Sequence, residues 1–134
     1  NGVKIVQDII PDCGPMGGIF TGLLSSKTKY NFIFAADMPF LNKKIIKKML
    51  KNNNRYDIIV PKTNYGFEPL HAIYSKACLG SIYSLLLHNK LRIFNLFSSC
   101  NTKTYRLNHL SFFNINTPYD YKKALALLRI KKHV

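Results

Sequence analysis

Apolar and polar positions along this chain follow two rhythms, one suited to strands and one to helices. The segments "VKIVQD" (3–8), "YNFIFAAD" (30–37) and "YDIIVP" (56–61) are short apolar runs closed by an acid or a proline. Near-continuous runs of this kind suit strands buried on both faces of a parallel sheet, and the first ends at Asp8 and the second at Asp37. The loop "KTNYGF" and the apolar run "PLHAIY" follow the third. Further on, "TKTYRL" alternates like an exposed strand and "FFNIN" reads as a buried one.

Between these runs the spacing changes to that of helices. "GIFTGLLSS" predicts a helix starting at Gly18, after the Pro- and Gly-rich loop "IIPDCGPMGG". In "NKKIIKKML" Ile45, Ile46, Met49 and Leu50 share one stripe, Lys43, Lys44, Lys47 and Lys48 lie outside it, and Asn42 is placed to cap. Leu79, Ile82 and Leu86 repeat at helical spacing, and "LRIFNLF" predicts a short helix. A final helix starts with Thr117 as cap, Pro118 at the first position and Asp120 as the reciprocal acid, turning Tyr121, Leu125 and Leu128 inward. Strands alternating with helices imply a parallel-dominated α/β sheet with helices on both faces, as one domain over residues 1–134.

Composition narrows the function. The chain has 134 residues, 47% of them hydrophobic, which excludes disorder. No apolar run approaches the roughly 20 residues that cross a bilayer, and no signal peptide opens the chain, so a soluble, cytoplasmic protein is expected. Cys13, Cys78 and Cys100 show no CxxC pairing, which argues against a thiolate zinc site or a disulfide framework. The formal charge of +14 suggests nucleic acid. The lysines, however, lie outside the helical apolar stripe and in the cationic tail "RIKKHV", as on solvated faces, so a small polyanion such as a nucleotide fits the same field.

The six acids sort one by one. Asp120 is explained by capping, Asp57 by turn chemistry, and Asp12 by its Pro/Gly loop; Glu68 is left without an assignment. Asp8 and Asp37 each end a sheet strand, where open α/β sheets bind ligands. Asp37 has two readings, a turn initiator or a magnesium ligand; Mg²⁺ needs only one or two carboxylates beside phosphates and water. Gly14, Gly17 and Gly18 allow a phosphate to approach backbone amides at a helix start, although neither a dinucleotide fingerprint nor a P-loop is present. Asn114 and Asn116 alternate, so on a strand both face one side, as substrate contacts or as strand-end caps. His71, His88, His109 and His133 show no catalytic or metal spacing, and no nucleophile–base pair stands out.

"GPMGGIFTGL", "FAADMPFL", "EPLHAIY" and "NINTPYD", in this order, resemble successive motifs of the molybdenum cofactor guanylyltransferases, the MobA-like nucleotidyltransferases. The resemblance runs from Asp8 to about Asp120. It implies a three-layer, Rossmann-like nucleotidyltransferase fold with a mostly parallel sheet. The implied reaction transfers GMP from GTP to molybdopterin carrying molybdenum, releasing pyrophosphate with Mg²⁺. By resemblance Asp37 is the metal-binding residue, Asp8, Gly14, Gly17 and Asp37 contact the nucleotide, and Asn114 and Asn116 contact the second substrate. Protein partners of the molybdenum cofactor pathway are compatible with it.

One departure is large. The family's opening loop, of the form LAGGxSxRMGxDK, is absent and the chain begins at Asn1, so it looks like the C-terminal portion of the domain. The expectations are poor GTP binding by the chain alone and an incompletely covered sheet face. Because the base-reading segment is missing, CTP remains an alternative to GTP, and a basic nucleic-acid-binding module is the alternative from another class.

Overall fold

The computed structural model describes residues 2–51 and 53–132; His133 and the end of the cationic tail lie outside the described residues. The helices are α1 (Gly14–Ser25), α2 (Lys43–Leu50), α3 (Leu79–Leu87), α4 (Phe94–Phe97) and α5 (Pro118–Lys132). The strands are β1 (Tyr30–Phe34), β2 (Ile58–Thr63), β3 (Gly66–Phe67), β4 (His71–Ser75) and β5 (Thr102–Arg106). None of the described helices is long and apolar enough to cross a membrane.

The strands form one open sheet in the order β1-β4-β2-β3, with β5 pairing β2. The β4 strand runs antiparallel to both β1 and β2, and β5 runs parallel to β2. Three strands, β1, β2 and β5, therefore share one direction, with β4 inserted in reverse between two of them. The fold is of the expected α/β class, with three strands sharing one direction although β2–β5 is its parallel pairing and β1–β4, β2–β3 and β2–β4 are antiparallel. Its parallel strands are joined through an antiparallel neighbour that the sequence presented only as the apolar run "PLHAIY".

Both faces of the central strands β2 and β4 are packed, while Phe34 at the end of the β1 edge strand is 48% exposed, so the sheet is covered unevenly. On one face, Ile58 and Val60 of β2 and Ala72 and Tyr74 of β4 pack with Met16, Ile19 and Leu23 of α1, Ile82 and Leu86 of α3, and Leu96 of α4. On the other, Ile59 and Ile73 pack with Met49 of α2. Alternation along β2 and β4 thus feeds two cores, which is why these strands lack a polar side. Tyr74 is fully buried and donates its hydroxyl hydrogen to the Pro69 carbonyl at 2.7 Å.

Several elements differ from the sequence reading. Residues 3–8 form no strand, and Val3 and Ile5 are more than 90% exposed. A strand requires a ladder partner, and no described residue pairs with this segment. Helix α1 starts at Gly14, four residues before Gly18, because the left-handed turn is made by Asp12 (φ 59°) and Gly14 (φ 55°). Asp12 is thus backbone chemistry, as expected. The "KTNYGF" loop is mostly hairpin, since β2 runs through Thr63 and pairs with β3. "FFNIN" is not a strand: Leu110–Phe112 is a 3-10 turn closed by Phe113 N–H donating to the Leu110 carbonyl at 3.0 Å. Two aromatic anchors hold this turn, Phe112 edge-on to His71 and Phe113 against Phe40. In α5, Tyr121, Leu125 and Leu128 are 39–55% exposed, and Ala124 is the buried residue. A small side chain lets α5 approach its neighbours where the larger ones do not.

Candidate active site

Asp37 ends the β1 run, as its sequence suggests. The strand stops at Phe34, the Ala35 N–H donates to the Leu70 carbonyl, and the turn after it closes with Met38 N–H donating to the Ala35 carbonyl. Asp37 sits half-buried on that turn. Its Oδ1 is buried and has no hydrogen-bond partner among the described residues. A turn-initiating aspartate would spend its carboxylate on a nearby backbone amide. Here the buried oxygen is left for something from outside.

The Asp37 main chain ties the site to the C-terminal segment. Ile115 N–H donates to the Asp37 carbonyl at 2.9 Å, which holds Asn114 and Asn116 beside the β1 end. Asn114 Oδ1 is likewise buried and without a partner among the described residues. Two orphaned oxygens, one anionic and one neutral, thus flank a single backbone hydrogen bond. Leaving a buried acceptor unsatisfied costs about 1–3 kcal/mol, and both oxygens keep acceptor capacity for a cation or a donor. The hard oxygen chemistry fits Mg²⁺, which takes few protein ligands.

Asn116 behaves differently from Asn114. It is exposed, and its backbone N–H donates to Asp120 Oδ2 at 3.1 Å. Thr117 N–H reaches the same oxygen at 2.9 Å, and Asp120 N–H donates to Thr117 Oγ1 at 3.1 Å. This is the capping box expected at Thr117–Asp120. Its hydrogen bonds hold the Asp120 carboxyl below the usual range, Thr117 first. The structure therefore brings Asn114 to Asp37 and assigns the Asn116 backbone to the helix cap.

Asp8 is exposed and lies against the first turns of α1. A Cβ placed on Gly17 would stand 3.8 Å from Asp8 Oδ2, and one on Gly18 would stand 4.0 Å from Oδ1. The same Cβ on Gly17 would fall 2.9 Å from Cys13 Cβ and 3.2 Å from the Ile10 carbonyl oxygen. Gly17 is thus required by the return of the loop across the helix, a packing role that the motif alone did not reveal. The loop is fastened by Ile9 N–H donating to Thr21 Oγ1 at 2.9 Å. Asp8 lies against Gly17 and Gly18, whereas a Cβ on Gly14 would meet nothing within 4 Å, and Asp37 is joined through its main chain to the segment that carries Asn114.

Two features escaped the sequence reading. His71 is fully buried in β4, and neither ring nitrogen has a hydrogen-bond partner among the described residues. Its ring meets Phe32 and Phe112 edge-on at centroid distances of 5.0 and 4.7 Å. Burial, with the nearby His109 adding to it, pushes its pKa down to about 4. The second is a cavity of about 360 Å³ between the β2–β3 hairpin and residues 108–113, with Glu68 on its wall. Burial raises the Glu68 pKa, opposed by the hydrogen bond from Thr63. Glu68 and His71 both lie in "EPLHAIY", one of the segments that carry the resemblance, but that segment gave neither a role, because the surroundings of each depend on segments that meet only in three dimensions.

The cysteines carry no disulfide, and the Cys78 thiol donates to the Asp57 carbonyl at 3.5 Å. Its interaction with Cys100, together with burial, pushes the Cys78 thiol up, and the same interaction holds Cys100 below the usual range. Among the described residues no group of three or more His, Cys, Asp or Glu side chains is arranged to hold a metal. A site centred on Asp37 uses a single carboxylate.

This arrangement, a mixed α/β sheet with an acid at a strand end and a glycine-rich helix start, is that of a nucleotidyltransferase-type domain. The chain belongs to the family described as the MobA-like NTP transferase domain, whose model matches residues 1–99. A "Probable molybdenum cofactor guanylyltransferase" of Natranaerobius thermophilus is 35% identical, the match covering 96% of this chain and 68% of that protein. The "Molybdenum cofactor guanylyltransferase" of Desulfosudis oleivorans is 33% identical over 93% of this chain and 66% of its own length. Among solved structures, the molybdopterin-guanine dinucleotide biosynthesis protein A of Archaeoglobus fulgidus superposes with a TM-score of 0.75 at 27% identity, covering 85% of this chain and 62% of that one. The chain thus spans about two thirds of these relatives.

Proposed function

We propose that this chain is part of a nucleotidyltransferase that moves GMP from GTP to a molybdopterin acceptor and releases pyrophosphate. The observation that carries the reading is the pair of buried, unpartnered oxygens of Asp37 and Asn114 beside one backbone bond, in a chain of this family. Its relatives' names supply the nucleotide and the acceptor.

Asp37 Oδ1 and Asn114 Oδ1 are the residues that would hold Mg²⁺. When bound, the ion supplies neutralising charge to the triphosphate and the departing pyrophosphate. The Gly14–Gly17 turn lets phosphate oxygens approach main-chain amides at the start of α1, where the helix dipole favours an anion. Asp8, which lies against Gly17 and Gly18, would accept from nucleotide hydroxyl or amino groups. A phosphate oxygen of the acceptor attacks the α-phosphorus; the new P–O bond forms as the bond to the β-phosphate oxygen breaks. No protein nucleophile is required, in keeping with a site that positions its substrates and stabilises charge.

The test uses the natural protein, GTP, Mg²⁺ and molybdopterin, with pyrophosphate release as readout. Asp37→Ala is expected to lower the rate by about a hundredfold or more, as losing a main electrostatic contact does. Release at the wild-type rate by this variant contradicts the assignment.

A further inference from the structure

A second cavity, of about 390 Å³, is lined by Lys51, Asn54, Arg55, Tyr56 and Lys103. Lys51 ends α2, Arg55 and Tyr56 lead into β2, and Lys103 stands near the start of β5. The strands β1, β2 and β5 share one direction, so this cavity lies at the opposite end of the sheet from Asp37. It has no part in the chemistry above.

Three cations line this cavity and no carboxylate does. Asp57, the adjacent acid in sequence, is engaged elsewhere. Its Oδ2 accepts from Asn101 N–H at 3.1 Å, and the thiols it acts on, Cys78 and Cys100, belong to the opposite core. Among the described residues none of Lys51, Arg55 and Lys103 forms an ion pair. Like charges around one cavity repel, and a free lysine side chain would swing away into water. Here the protein holds them. Lys103 Nζ lies 5.2 Å from the Tyr56 ring centroid and 4.9 Å from that of Tyr105, so two aromatic rings seat it. The Arg55 main chain is pinned by Asn101 Nδ2, which donates to its carbonyl at 2.6 Å. Lys51 stands at the negative end of the α2 dipole. Cations already held in place lose less freedom when they bind an anion.

The class of ligand follows from what is already occupied. Nucleic-acid surfaces offer free aromatic faces on which bases stack. Both tyrosines here carry the Lys103 ammonium and pack against the core of Met49, Ile59 and Ile73. What remains open is positive charge in a confined space, which suits a compact anion of several charges. We propose that this cavity binds an inorganic oligophosphate through Lys51, Arg55 and Lys103, at a site separate from the catalytic end. The Arg55 guanidinium can give one phosphate paired N–H donors, and the two lysines act as point charges for its neighbours. Lys47 and Lys48, exposed on α2, add to the field that draws the anion in. None of this depends on the nucleotidyltransferase reading.

The test is calorimetry of the natural protein with sodium tripolyphosphate in EDTA, where no metal at Asp37 takes part. The expected result is a site at least about tenfold tighter for tripolyphosphate than for orthophosphate. It should weaken about tenfold or more in Arg55→Gln, Lys103→Gln and Lys51→Gln, and stay within about twofold in Lys43→Gln. Lys43→Gln removes the same charge from the other end of α2 and so controls for the general field. Lys51, with an exposed side chain, keeps the test valid where loss of the Lys103–tyrosine contacts unsettles the fold. Equal weakening by Lys43→Gln reveals a diffuse field and overturns the site. So does binding indifferent to all three cavity variants, or equal affinity for the two phosphates. A short oligothymidylate that binds more tightly than tripolyphosphate, and is lost in the same variants, makes this a nucleic-acid surface and overturns the proposal as well.

Discussion

Single residues carry opposite costs here. Asp37 and Asn114 hold buried oxygens without a partner among the described residues, a cost that a bound cation of the proposed site would offset. His71 holds orphaned nitrogens where no ligand reaches, between Phe32 and Phe112. Its pKa of about 4 lies below the ordinary value of 6.5, so the unfolded chain takes up a proton that the folded chain refuses. The acid penalty from His71 is absent above pH 6.5, grows as the pH drops towards 4, and amounts to about 3 kcal/mol across that window. Glu68, with its raised pKa, works in the opposite sense. Comparison with His71→Leu isolates the histidine: the variant is expected to be as stable as wild type or more so at neutral pH, because it removes two unpaired polar atoms. It should also lose less stability between pH 6.5 and 4 in urea titrations. An acid loss identical to wild type would show that His71 is not the sensor.

At the scale of elements, the caps were legible because they are local. Asn42 caps α2 as its position suggests, with Oδ1 accepting from Lys44 N–H at 2.9 Å and Ile45 N–H at 3.3 Å. This cap is exposed to an unfavourable field, since Lys43 and Lys44 stand at the positive end of the helix dipole. Asn42→Ala is expected to cost about 1 kcal/mol, read as a lower urea midpoint at unchanged slope. An unmoved midpoint would mean that packing of Met49 alone sets the helix. What was not legible follows from long-range partners. Residues 3–8 alternate like a strand but find no ladder among the described residues, and "FFNIN" has strand composition but is captured by aromatic contacts to His71 and Phe40. Local pattern cannot register either outcome. The helix start moved from Gly18 to Gly14 for a subtler reason: glycine reads as loop, yet Gly17 is helical and is glycine because the Ile10 carbonyl lies against it.

At the scale of the whole molecule, the sheet places its chemistry where strand direction dictates. The strands β1, β2 and β5 point one way, so Asp37, the hairpin cavity at the end of β2 and the segment after β5 gather at one end. The acid at the strand end was readable from "FIFAADMPFL", but the oxygen of Asn114 completing it was readable only as half of a pair. The central claim is that Asp37 and Asn114 together hold a divalent ion. Its most direct test is Mn²⁺ binding to the natural protein in the presence of GTP, followed by electron paramagnetic resonance, for wild type, Asp37→Asn and Asn114→Leu. The account expects one tight site in wild type, weakened by about tenfold or more in each variant while both remain folded. Unchanged Mn²⁺ affinity in Asp37→Asn would contradict it.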